Sequence, residues 1–195
     1  MNDQLHHDAA AAKMFAEKNF QQLIASLPKK LVEKEDNFLN LFKKIKVGPF
    51  KQLEVIYDFT GRLFSHVSPF IPCKENCAFC CYYRIEISEI EISYIEKRTR
   101  FRRNKTFELD KEDHGTPCPF LKRNMCSIYD VRPFSCRKHT TLTKDSYWCD
   151  PALSNQVKLP LLHFSKVEEA FMLLQGKSGL IKFYDIRQVF SGKMR

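Results

Sequence analysis

The chain has 195 residues and a formal charge of +9, with 32 Lys and Arg against 23 Asp and Glu. That length fits one domain with additions or two small ones, and it buries a core without needing metal merely to fold. No apolar run approaches the roughly 20 residues of a membrane span, and the start MNDQLHHDAAAAKMF lacks the basic and apolar regions of a signal peptide, so no membrane partner and a cytoplasmic location are expected.

Taken in chain order, residues 1–67 contain no cysteine and read as helices. Asp8 is a plausible N-cap for a helix that stops before Pro28. Phe38, Leu41, Phe42 and Ile45 fall at helical spacing on one stripe, which Gly48-Pro49 ends. Residues 50–67 form a third candidate, with Leu53, Ile56, Tyr57, Leu63 and Phe64 on one face and Gly61 as its weak point. Residues 68–151 hold all the cysteines and six of the nine prolines. There YYRIEI alternates like a short strand, and Ser88-Glu89-Ile90-Glu91 is a capping box opening a helix to about Arg102. Asp110 to Pro151 reads as turns and short pieces. The tail, 152–195, offers two further helices, near Lys166–Leu174 and Leu180–Phe190, separated by Gly176 and Gly179. The expected fold is mainly α, with helices packed around a loop-rich, cysteine-bound metal centre and at most a short strand pair. The three segments, 1–67, 68–151 and 152–195, are expected to form one compact unit.

CKENCAFCC, residues 73–81, places four cysteines in nine residues. Cys118, Cys126, Cys136 and Cys149 follow, separated by seven, nine and twelve residues. Stable disulfides are rare in a reducing cytosol, so clustered thiols point first to metal. The candidate ligands are Cys73, Cys77, Cys80, Cys81, Cys118, Cys126, Cys136 and Cys149, enough for two four-ligand sites or one cluster with thiols to spare. Neighbouring side chains diverge in extended chain and sit about 100° apart in a helix. Cys80 and Cys81 are therefore expected to serve different partners, one joining Cys73 and Cys77, the other facing the downstream group. Cys73 and Cys77 fit a zinc knuckle, but the second group contains none. Dense cysteine runs and a Cys-Pro step such as Cys118-Pro119 suit iron–sulfur binding, and spacing leans that way. The C-x3-C-x2-C run also imitates the cluster loop of radical S-adenosylmethionine enzymes. Those enzymes use a partial or full barrel, for which the 115 residues after Cys80 show no βα repetition.

Read together, the first run with Cys118-Pro119-Phe120-Leu121, Cys126-Ser127-Ile128-Tyr129 and Arg132-Pro133-Phe134-Ser135-Cys136-Arg137 resembles the YkgJ-type CxxCxxCC cysteine-cluster family. The resemblance covers roughly residues 70–150. It implies a bacterial, cytosolic metal-binding domain, zinc- or iron-chelating and often described as an iron–sulfur protein. The domain also resembles part of flagellin lysine N-methylases. Where the family name writes two residues between the first cysteines, this chain has three, Lys74, Glu75 and Asn76.

Three functions follow as expectations. The first is a metal-binding protein with a cysteine-ligated centre, iron–sulfur ([4Fe–4S]) before zinc, in redox, electron-transfer or accessory work for a protein partner. The second is a structural zinc module that presents KRTRFRRNK, residues 97–105, to nucleic acid or an acidic partner. The third is an enzyme subunit in protein modification such as lysine N-methylation. Against the second, the basic run falls at a predicted helix C-terminus, where cations are favoured anyway, and only Phe101 interrupts it with an aromatic ring. Four-thiolate centres add uncounted negative charge that erodes the +9 surplus. Among neighbouring residues, Arg137 adjoins a candidate ligand and is the more natural charge partner, while Arg132-Pro133 reads as a turn. His139 and His114 are weaker ligand candidates than the cysteines. Tyr147 and Trp148 are expected to cover the metal site. No phosphate loop, nucleophile elbow or H-E-x-x-H motif is present.

Overall fold

The computed structural model describes residues 8–106, 116–177 and 181–191. Eight α-helices and two short antiparallel strand pairs make the described chain mainly α. None of its helices is long and apolar enough to cross a membrane.

Helix α1 spans Ala9–Ser26, and the Asp8 carboxylate accepts from Ala11 N at 2.8 Å as the expected N-cap. Its Ala16 and Leu23 pack with Val67 and Leu142. Asn19 fastens the same face by donating to Phe70 O (2.6 Å) and Leu142 O (2.8 Å). Helix α2, Lys29–Asp36, was not foreseen. It is charged almost all round and buries no residue fully, so it lacks the apolar stripe by which a helix is read. Its Glu35 nonetheless caps a distant helix, accepting from Lys166 N at 2.7 Å and Val167 N at 3.3 Å. Helix α3 is Phe38–Lys44, with Phe38 and Phe42 inward. Gly48 and Pro49 separate it from α4, Pro49–Val67, which Pro49 opens at the first helical position. Gly61 sits inside α4 in open space, so tertiary packing of the opposite face overrides its poor propensity.

The strand expected in YYRIEI is confined to β1, Glu86–Ser88. Helix α5 follows at Glu89–Arg98 and stops four residues short of the predicted end. Thr99 is extended there, and the Arg102 guanidinium donates to Glu96 O and Thr99 O at the helix terminus. A two-residue turn at Arg123 and Asn124, both at positive φ (50° and 60°), joins β2 (Leu121–Lys122) to β3 (Met125–Cys126). Such a turn matches the twist of a hairpin, and it gives the molecule a second strand pair beyond the one expected. Helix α6 is Phe134–Lys138 and α7 is Ser165–Gly176.

The predicted last helix, from Leu180 to Phe190, is mostly something else. Residues 183–185 form β4, antiparallel to β1 with Glu86 opposite Asp185 and Ser88 opposite Phe183. Only Ile186–Val189 coil, as α8, behind an Asp185 N-cap that accepts from Arg187 N at 2.8 Å. Pairing with β1 wins over a helical register that the apolar spacing also allowed. Leu180 and Gly179 lie outside the described residues.

One apolar cluster draws on all three segments of the chain, including Phe38, Phe42, Leu53 and Leu63, then Tyr94 and Phe134, then Phe171 and Leu174. Phe134 stacks on Phe171 with ring centres 4.4 Å apart. A second cluster gathers Ile87, Ile92, Ile95, Phe101, Phe120, Ile186 and Phe190. Cys118, Cys126 and Cys136 pack against that second cluster, so the cysteine region rests directly on a hydrophobic floor.

Candidate metal centre

All eight cysteines line one cleft of about 580 Å³. None is paired in a disulfide; Cys73 is exposed and the other seven are half-buried. The cleft brings together residues up to 76 positions apart, from Cys73 to Cys149.

Local geometry explains how each thiol arrives. Residues 73–77 turn back at Asn76, a left-handed residue (φ 66°) beside the Cys77 N to Lys74 O bond. The Cys73 sulfur lies 3.8 Å from Thr140 Oγ1. Residues 79–82 form a 3₁₀ turn rather than extended strand. The two adjacent sulfurs therefore meet. Cys80 accepts from the Cys81 thiol, a contact that holds Cys80 down at about 7 and drives Cys81 up. Cys118 N donates to Cys81 O at 2.8 Å, which docks the second cysteine segment on the first. The Cys118 sulfur accepts from Phe120 N and the Cys126 sulfur from Ile128 N, so each is aimed by the backbone two residues on. Cys136 sits in α6, and Cys149 ends the 3₁₀ turn Tyr147–Cys149. The following turn, Pro151–Leu153, packs on residues 79–82 and brings Cys149 beside the first run.

Burial dominates the acidity of most of these thiols. It pushes Cys118 up to about 11 and Cys149 up to about 12, and Cys136 well above its usual value. Nearby thiolate charge adds to the rise. Cys149 is raised further by Cys73, Cys77 and Cys80, whereas Cys136 is raised by Cys118, Cys80 and Cys126. A buried thiol that resists ionisation is a poor free nucleophile, while a bound cation reverses the balance and deprotonates a coordinating thiol outright.

The two arginines exchange their expected roles. Arg132 lines the cleft and its charge favours the thiolates of Cys73, Cys80 and Cys126. Arg137 lies 3.9 Å over the Tyr57 ring and donates to Arg132 O (3.0 Å) and Asp130 O (2.6 Å). It braces the loop rather than a sulfur. His139 also lines the cleft, with its ring 4.7 Å from Tyr83 and burial disfavouring its charged form. His114 falls outside the described residues. Tyr147 and Trp148 do not cover the site. Trp148 is buried edge-on to Tyr147, and the apolar side chains that do line the cleft include Ile71, Met125, Ile128 and Tyr129.

Two supports were missed in the sequence. Arg187, in the tail, donates to Cys81 O (2.9 Å), Tyr83 O (2.6 Å) and Thr116 O (2.8 Å), and pairs with Asp185 at 3.4 Å, both side chains nearly inaccessible. It clamps both cysteine segments from 35 residues beyond the family match. Glu91 is the other. Its Oε1 accepts from Tyr57 OH (2.9 Å) and Phe134 N (2.7 Å), and its Oε2 from Ser88 N (3.0 Å) and Ser88 Oγ (2.8 Å). It thus fixes the start of α6, which carries Cys136. The capping box signalled Glu91 locally; nothing local signals Arg187.

The basic run 97–105 is largely engaged within the molecule. Arg98 pairs with Glu54, Arg103 with Glu89 and Glu96, Arg102 holds helix carbonyls, and Lys97 lies over the Phe50 ring.

Residues 72–152 match the CxxCxxCC family model, described as a zinc- or iron-chelating domain. The matched stretch contains every cysteine of the chain. It indicates a metal-binding domain for zinc or iron. Comparison with curated proteins and with solved structures returns no match. The donor set fits the CxxCxxCC description, because soft thiolates suit zinc and iron–sulfur clusters alike. Among the described residues, no three Cys, His, Asp or Glu side chains stand closely enough to hold one ion without moving. The sulfurs line the walls of the cleft rather than converge on a point.

Proposed function

We propose that the protein binds iron–sulfur of the [4Fe–4S] type in this cleft, each cluster drawing four ligands from Cys73, Cys77, Cys80, Cys81, Cys118, Cys126, Cys136 and Cys149, and that it serves redox or electron transfer or supports a partner protein. The observation that carries this reading is the gathering of all eight thiols around a single cleft of about 580 Å³. One tetrahedral zinc ion uses four ligands and little room; a cluster that spaces its own thiolates suits dispersed sulfurs better. When bound, such a centre supplies one-electron transfer at a potential set by charge, hydrogen bonds and exposure.

The surrounding residues support that role. Arg132 lines the cleft and offsets thiolate charge at Cys73 and Cys126. Amide hydrogen bonds to the Cys118 and Cys126 sulfurs favour their thiolate forms. Cys73 is exposed at the mouth, which leaves one edge of the cleft within reach of an electron partner. Anaerobic purification followed by iron, zinc and acid-labile sulfide counts is the test. Iron and sulfide in equal amounts, with visible absorption that bleaches on reduction, are expected. A colourless protein with stoichiometric zinc and no sulfide would sink the iron–sulfur reading.

A further inference from the structure

The eight thiols are not scattered evenly round the cleft. Cys118, Cys126 and Cys136 form its inner wall, packed on the cluster that contains Phe120, Ile128 and Ile186. Cys73, Cys77 and Cys149 do not pack on that cluster; Cys73 reaches the surface beside Thr140, and the turn 151–153 that follows Cys149 packs on residues 79–82. The adjacent pair Cys80 and Cys81 stands between them, with the Cys81 carbonyl held by Cys118 N and by Arg187.

We propose that the cleft holds two metal centres side by side, an outer one on Cys73, Cys77 and Cys149 and an inner one on Cys118, Cys126 and Cys136, each completed by one member of the Cys80–Cys81 pair. This rests on the reading of the cysteines as metal ligands, but not on which metal they take. Four-thiolate coordination needs three thiols from one side plus one more, and the central pair supplies one to each. With a single peptide link between the two shared ligands, the centres would lie close enough to interact. The inner centre, resting on the apolar floor, would be the better shielded of the two.

The full chain, isolated anaerobically and reconstituted to saturation, is expected to hold about eight iron and eight sulfide, or about two zinc if zinc is the metal. The double variants Cys73→Ser/Cys77→Ser and Cys118→Ser/Cys126→Ser should each keep about half of that metal. If the centres are clusters, the reduced wild-type electron paramagnetic resonance spectrum should show broadening from spin–spin coupling that both double variants lose. Saturation of wild type at about four iron or about one zinc overturns the two-centre arrangement whether or not the variants fold. So does full metal content in either double variant. Two zinc per chain without sulfide leaves two centres standing and removes only the iron–sulfur reading.

Discussion

Two buried polar sites differ in how far they are satisfied by the protein itself. In the helical core, Glu91 accepts four hydrogen bonds from three elements, and rings pack around it with Tyr57 and Tyr94 edge to face. In the cleft, eight thiols line the walls, several pushed toward the neutral form by burial, with only a few amide, hydroxyl and thiol contacts among them. A core carboxylate with full partners rigidifies a packed structure. Thiols gathered without such partners gain their stabilisation from something they bind. The two regions meet at α6, whose N-terminus is fixed by Glu91 and whose Cys136 faces the cleft.

Metal removal tests that difference most directly. Where a fold depends on structural metal, binding supplies on the order of 10 kcal/mol. Chelation or oxidative loss of the centre is therefore expected to open residues 73–153 to protease and to fast amide exchange, while α1, α4 and α7 keep their helical signal. Loss of all helicity in a single transition together with the metal would erase the distinction between the two regions.

Arg187 is the next lever, because it crosses from the tail into the cleft. Arg187→Gln removes a buried ion pair and three carbonyl contacts, leaving Asp185, at 2% exposure, without its cationic partner. Breaking such a pair costs about 3–5 kcal/mol. Both a lower urea midpoint and reduced metal retention are expected. A destabilised protein that still holds its full metal would show that the tail supports the fold and not the centre. Within the core, Glu91→Gln keeps the shape but turns an amide NH₂ toward groups that donate. About 2 kcal/mol should be lost, with Tyr57→Phe costing about 1 kcal/mol. Equal metal content in both variants is expected if α6 stays docked through Phe134 and Phe171.

How legible these regions were in the sequence follows from the range of the interactions. Asp8, Pro28, the Phe38–Phe42 stripe and Ser88–Glu91 are local signals; α1 starts after Asp8 and ends before Pro28, and α3 and α5 start where their signals put them. Helix α2 escaped because its side chains face water nearly all round. The tail was misread because β4 is specified by a partner strand almost a hundred residues earlier, which no local period records. The cysteines named the region that forms the cleft, but their placement in it depends on the 3₁₀ turn at 79–82 and on packing against Phe120 and Ile128. Arg187 was invisible for a plainer reason. Beyond its neighbour Asp185 its contacts are three backbone carbonyls, which carry no sequence signature.

The smallest expected effect compares two carboxylates within the helical part. Hydrogen bonds from Lys51 and then Arg98 hold Glu54 down from 4.5 to about 2. Burial pushes Glu91 up. A lowered carboxylate stabilises the fold above its unfolded value, so the Glu54 contribution is present above about pH 4.5 and is lost as pH falls toward about 2. Glu91 has the opposite sign: its contribution is fullest below about 4.5 and fades as pH rises through its folded value. Acidification should therefore weaken the α4–α5 contact at Glu54 while sparing the Glu91 hub. Exposed pairs like Lys51–Glu54 are worth about 1 kcal/mol or less, and added salt should shrink the effect further. Urea midpoints of the metal-free chain, taken from neutral pH down to about pH 3, keep acid release of metal out of the measurement. Glu54→Gln should flatten the acid limb of that curve by a fraction of a kcal/mol and leave neutral-pH metal binding unchanged. An acid limb as steep in Glu54→Gln as in wild type would mean that another carboxylate, not this α4–α5 contact, sets the acid stability of the core.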